Sequence, residues 1–133
     1  MANNTSLRQN GFTVIELIIS IAFLMIAGIL VAWQFNNLRV AARDDQQKTA
    51  INSVYYGLEE VFHKENGYYP ETISNDTLRS VDPELLTDPF GVKIGDNEST
   101  YRYEPAECLD GKCQRYSLRA NLENESDYVK TSK

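Results

Sequence analysis

Phe12–Trp33 reads FTVIELIISIAFLMIAGILVAW, and its only charged side chain is Glu16. Twenty such residues at about 1.5 Å each make a helix of roughly 30 Å, the thickness of one bilayer core. A helix that is apolar on every side needs cover on every side. A chain of 133 residues has too little protein to supply it. Lipid, or other copies of the same helix, is the expected surrounding. An acid inside such a segment costs up to about 3 kcal/mol at midspan and is read as functional, with a positive charge as its natural partner.

The flanks sharpen this reading. The leader MANNTSLRQNG carries only Arg8 and the terminal amine as positive charge. After the apolar run, Leu30-Val31-Ala32 and Val40-Ala41-Ala42 are weak matches to a secretory cleavage site. A plain cleaved signal or a plain anchor therefore explains the segment poorly.

The chain averages conceal the division. A net charge of -6 and 42% hydrophobic residues describe an ordinary acidic domain. They exclude a polytopic membrane protein and, with two cysteines, a disulfide-dense scaffold. An acidic balance also argues against nucleic acid as a partner. Residues 1–43 hold three bases (Arg8, Arg39, Arg43) and one acid (Glu16), whereas residues 44–133 hold eighteen acids and ten bases, a net of -8.

Gly11-Phe12-Thr13-Val14-Ile15-Glu16-Leu17 resembles the processing motif of type IV prepilins and the related type II secretion pseudopilins. The resemblance implies cleavage after Gly11 by prepilin peptidase and N-methylation of the new terminus, Phe12. Glu16 then becomes the fifth residue of the mature chain, close to an α-amine of its own or a neighbouring subunit. Such a pair largely neutralises in a low-dielectric filament core. The implied partners are other copies of the chain, minor pilins, an assembly platform protein with its ATPase, and inner-membrane lipid before assembly.

Helical periodicity continues beyond Trp33. Phe35 and Leu38 extend the run; Arg43, Asp44, Asp45, Gln46, Gln47 and Lys48 form a polar collar. Ala50, Ile51, Val54, Tyr55, Leu58, Val61 and Phe62 then recur at three- and four-residue steps. No proline interrupts Phe12–Asn66, and Gly67 is a stop signal. The pattern predicts one helix of about 54 residues, about 80 Å long, apolar all round at first and striped afterwards. The stripe needs residues 67–133 as cover.

The expected domains are a leader (1–11), a transmembrane or filament-core helix (12–35), an amphipathic half (36–66) and a C-terminal globular domain (67–133). In the last, 67–98 reads as an αβ loop, 99–123 as a β-hairpin or sheet, and 124–133 as a polar tail that frays. Ser74 is expected to cap a helical turn reaching Val81. Asn66-Gly67-Tyr68-Tyr69-Pro70 and Asp88-Pro89-Phe90-Gly91 resemble stretches of pilins and major pseudopilins, the second with Phe90 in place of tryptophan. As a turn, Pro89 sets φ, Gly91 takes a conformation other residues avoid, and Phe90 plugs the core.

Tyr101 and Tyr103 alternate with Arg102, and Tyr116, Leu118, Ala120 and Leu122 alternate with Arg115, Ser117, Arg119 and Asn121, as in half-buried strands. Asp110-Gly111 signals a hairpin turn. Cys108 and Cys113 flank it and are placed for a disulfide across four residues; zinc wants more ligands than this pair. His63, the only histidine, is expected at the surface with no nucleophile at a recognisable spacing. Asp96, Glu98, Asp110 and Asp127 are weak calcium candidates without EF-hand spacing. Asn75, Asn97 and Asn124 begin glycosylation sequons.

The fold expected is α+β and pilin-like: one very long N-terminal helix packed on a small antiparallel sheet through a connecting loop. The function implied is a structural filament subunit without catalytic, cofactor or metal residues. The alternatives are a type II secretion pseudopilin and, in another class, a membrane-tethered binding domain.

Overall fold

The structure, a computed structural model, describes residues 12–133. It has an α+β architecture. Helix α1 (Val14–Tyr56) runs into a π-helical segment (Gly57–Phe62) and a last α-turn, α2 (His63–Asn66). Four strands come after it: β1 (Tyr69–Pro70), β2 (Tyr101–Leu109), β3 (Lys112–Ala120) and β4 (Tyr128–Thr131), with a 3₁₀ turn at Pro83–Leu86. The chain divides into two compact units, Met1–Asn37 and Leu38–Lys133.

In the first unit the described residues are helical from Val14, and large apolar side chains are exposed throughout. Phe12 is 77% exposed, Phe23 71% and Trp33 68%. Thr13 precedes the first turn. Its hydroxyl accepts the backbone N–H of Glu16 at 3.4 Å and its carbonyl accepts that of Leu17 at 3.1 Å. Thr13 thereby occupies the N-cap position, with Glu16 three residues on, where a carboxylate complements the positive end of the helix.

The second unit is built on the amphipathic part of the helix. Ala50, Ile51, Val54 and Leu58 are fully buried and cluster with Tyr69, Tyr101, Tyr116, Leu118 and Ala120 from the strands and Leu78, Val81, Leu86 and Ile94 from the loop. The same three- and four-residue spacing carries the buried stripe back through Gln47 and Asp44. The polar collar is thus split, two of its members lying in the core. Gly57 has the loop pressed onto it: a Cβ there would sit 2.5 Å from Val81 Cγ2.

The helix ends where the sequence predicts. Gly67 adopts φ 76 and returns its N–H to the carbonyl of His63 at 2.8 Å, a left-handed C-cap that glycine adopts without strain. The π segment was not anticipated. There the N–H of His63 reaches back five residues to Leu58.

Strand β3 is the centre of the sheet. It pairs antiparallel with β2 along one edge, Tyr101 opposite Ala120 through Leu109 opposite Lys112. Its other edge is shared by β1 at Cys113 and by β4 at Ser117–Ala120. The hairpin turn is Asp110-Gly111 as expected. Both residues have positive φ (51 and 77), the type I′ geometry that matches strand twist. Cys108 faces Cys113 across the two strands and the pair forms a disulfide.

Three expectations need correction. The tail does not fray: Tyr128-Val129-Lys130-Thr131 is rich in strand formers and pairs with the free edge of β3. Its approach is pinned by Asp44, whose carboxylate accepts the N–H groups of Glu123 (2.9 Å) and Asn124 (3.1 Å). Ser74 caps a turn as expected, its hydroxyl accepting the N–H of Thr77 at 3.3 Å, but that turn closes at Leu78 and does not run on as a helix to Val81. The regular turn lies further on, where Asp82 accepts the N–H of Glu84 at 3.0 Å and Pro83 starts a 3₁₀ helix. Phe90 does not plug the core; it is 62% exposed.

Candidate functional site

Gly11, where cleavage is expected, lies outside the described residues together with residues 1–10. Phe12 is exposed and Glu16 stands in the first turn of α1. From Val14 to Leu38 the exposed large apolar side chains cover every side of the helix. By length and composition this is a helix able to cross a membrane.

A buried carboxylate centre holds the second unit together. Glu59, in the π segment, is 5% exposed. Its Oε1 accepts the Tyr116 hydroxyl at 2.9 Å, the Tyr69 hydroxyl at 3.1 Å and the backbone N–H of Lys133 at 3.3 Å. Burial, reinforced by the neighbouring carboxylate, pushes the Tyr69 hydroxyl up to about 12. Burial and the hydrogen bond to Glu59 also push Tyr116 upward. Both phenols therefore stay protonated and donate. A buried carboxylate is tolerated when donors replace water in this way. His63 is half-buried rather than a free surface residue; its ring stacks on Tyr69 with centroids 4.6 Å apart.

Asp88 organises the turn that bears Phe90. Its Oδ1 accepts the N–H groups of Phe90 and Val92, both at 2.9 Å, and its Oδ2 accepts the N–H of Thr100 at 2.8 Å and that residue's hydroxyl at 3.2 Å. Burial opposes ionisation, but these donors outweigh it and hold the carboxyl below the usual aspartate value. Gly91 takes φ 87, as the turn requires. The sequence located this turn; what it missed is that the aspartate is the clamp and the aromatic is presented outward.

The calcium candidates Asp96, Glu98, Asp110 and Asp127 do not gather into a group of three metal-ligating side chains among the described residues. Asp110 is consumed by the hairpin turn. A cleft of about 340 Å³ under the loop is lined by Ser74, Asp76, Lys93 and Asp96 with apolar Ile73 and Leu86. Its lining carries neither histidine nor thiol. Asn75, Asn97 and Asn124 of the sequons are all exposed.

Comparison with protein-family models, with curated proteins and with solved structures finds no match for this chain. Its functional reading rests on its own residues.

Proposed function

We propose that the chain is a structural subunit of a type IV pilus-like filament, with a pilin-like fold. It is made as a membrane-anchored prepilin, cut after Gly11, N-methylated at Phe12, and polymerised through the apolar part of α1. The observation that carries this reading is the run of exposed apolar side chains from Phe12 onward with a single acid, Glu16, in its first turn. Lipid covers this surface before assembly, and identical helices cover it afterwards. Repeated contacts of this heterologous kind do not close and so build open fibres.

The start of the helix gives Glu16 its task. Cleavage after Gly11 places an α-amine on Phe12, one residue before the cap. A cation there opposes the helix dipole. The carboxylate of Glu16 offsets it, within the subunit or across to the next. Prepilin peptidase, a platform protein with its ATPase, and minor pilins are the partners this life cycle requires.

A type II secretion pseudopilin, forming a periplasmic piston-like fibre, is the second reading. The Asp88-Pro89-Phe90-Gly91 turn and the absence of proline from the helix favour it. Imaging fibres on the cell surface against their confinement to the periplasm separates the two.

Mass spectrometry of the mature protein tests the common reading. The expected product begins at a methylated Phe12 and has lost Arg8. An intact Met1, or a terminus well beyond residue 30, would overturn it. In Glu16→Ala, processing is expected to survive while incorporation into fibres drops; normal fibres would refute the charge pairing.

A further inference from the structure

The outer face of the sheet carries a charge arrangement that the rest of the acidic domain does not explain. Arg102 of β2 stands directly opposite Arg119 of β3. Their neighbours Tyr101 and Ala120 are buried, so the two arginines share the opposite, outward face. Like charges directly opposite one another destabilise a sheet. Among the described residues neither arginine forms an ion pair, although Glu104 shares their face. Arg102 reaches only a neutral acceptor, the carbonyl of Asn97 at 2.9 Å. The Nε of Arg119 is buried with no acceptor at all. Arg115, four positions before Arg119 on the same strand, does have a partner, Glu107. Residues 44–133 carry a net charge of -8, yet these two guanidinium groups, like that of Arg79, have no carboxylate partner among the described residues.

The loop from 71 to 98 has the opposite imbalance, with seven acids against two bases. Asp88 is buried, but Glu71, Asp76, Asp82, Glu84, Asp96 and Glu98 are exposed, and none is in an ion pair among the described residues. The arginine pair and the acidic loop meet within one subunit only at the bond from Arg102 to the Asn97 carbonyl, and no ion pair joins them there.

We infer that the Arg102–Arg119 face is a docking surface for the acidic 71–98 loop of a second copy of this chain. This rests on the filament reading and gives the domains of that filament their contact. Two different patches that complement each other make a head-to-tail interface, the kind that propagates without closing. A planar guanidinium suits carboxylates, which it can engage with two parallel hydrogen bonds. Charge pairing of this sort selects register and partner more than it adds raw affinity.

Fibres formed by the full chain in its own cells provide the test. Arg119→Lys keeps the charge and supplies an amine that carbodiimide couples to a carboxylate in contact. The expected result is a product of twice the subunit mass, in which position 119 is joined to an acid between 71 and 98. Coupling confined to single subunits, or directed to acids outside 71–98, overturns the inference. Arg102→Gln with Arg119→Gln is expected to lower fibre yield about tenfold without lowering the melting temperature, because removing two opposed like charges does not destabilise the sheet. Wild-type yield in that variant, with loss of retention on heparin, would instead assign the face to an external polyanion and overturn the inference. Wild-type cells that make no fibre with methylated Phe12 would count against the filament reading. Normal wild-type fibres in which the amine at position 119 never reaches a second copy would count against the docking face alone.

Discussion

Residues 14–37 and 38–56 belong to one helix, α1, and differ in what their side chains meet. In the first stretch Leu24 is 68% exposed and Ile29 70%. In the second, Ile51 and Val54 are fully buried, and even Asp44 and Gln47 are drawn inside. Helix propensity is adequate in both, so propensity does not distinguish them. The pattern does. A stripe selects a domain as cover, and an apolar cylinder selects lipid or copies of itself. A segment's surroundings are therefore legible in its angular distribution of apolar groups more than in its mean content of them.

The most direct challenge to this contrast is to truncate the same residue type on both sides of it. Leu58→Ala, one turn beyond Val54 on the buried stripe, is expected to lower the unfolding free energy of the domain by about 2–5 kcal/mol, since a buried leucine leaves both lost contacts and a cavity. Leu24→Ala is expected to shift it by less than about 0.5 kcal/mol, as at an exposed site. Denaturant melts in detergent measure both, and equal losses would erase the distinction.

A second expectation concerns the polar interior of the second unit. Glu59→Ala strands the Tyr69 and Tyr116 hydroxyls and is expected to cost about 1–3 kcal/mol. Tyr116→Phe in the same background should then cost less than it does alone, because the two groups share a hydrogen bond. Additive losses in that double-mutant cycle would mean that the pair is uncoupled.

The disulfide should matter somewhat less. It closes a loop with a sequence separation of only 5. Replacing both cysteines by serine is expected to cost about 2 kcal/mol, the low end for chain-entropy effects. The hairpin register should survive, because Asp110-Gly111 sets it independently; amide exchange along β2 and β3 reads this out.

The smallest effect is one of pH. The native carboxyl of Asp88 lies below its ordinary value, so its contribution is fully present above that value. It is lost as pH falls through the depressed native value. The stability difference between wild type and Asp88→Asn should therefore be constant near neutrality and narrow below about pH 4. A difference that widens with acid would reverse the assigned direction.

Much of the architecture was legible because local chemistry and tertiary structure agree. Gly67 stops the helix, Asp110-Gly111 turns the hairpin, and the buried alternation of Tyr116, Leu118 and Ala120 shows which face of β3 is inward. Each failure has a physical origin. Asp44, Gln47 and Glu59 are polar residues in the phase of an apolar stripe, and hydrophobicity alone assigns such residues to water. Their spacing held the missing signal, since 44, 47, 51 and 54 keep to one helix face. Strand β4 was hidden by polar neighbours, and its edge exists only once β3 is in place. The exposure of Phe90 depends on a clamp that Asp88 makes with Thr100, 12 residues away. Of the candidate site, the sequence marked Phe12 and Glu16; the unpaired arginines emerged only when the register set Arg102 against Arg119.

The π segment has a consequence for how this chain can vary. A turn closed five residues back holds one residue more than a turn closed four back. In length, Gly57–Phe62 is equivalent to a one-residue insertion inside a helix. Length changes there are usually ruinous, because each added residue rotates the remainder of the helix by about 100°. Deleting one residue from the segment would restore regular α-helix and carry Glu59 out of reach of its two tyrosines, or carry the end of the helix away from Gly67. Relatives lacking the extra residue should therefore also lack the buried acid, so that gap and carboxylate are gained and lost together.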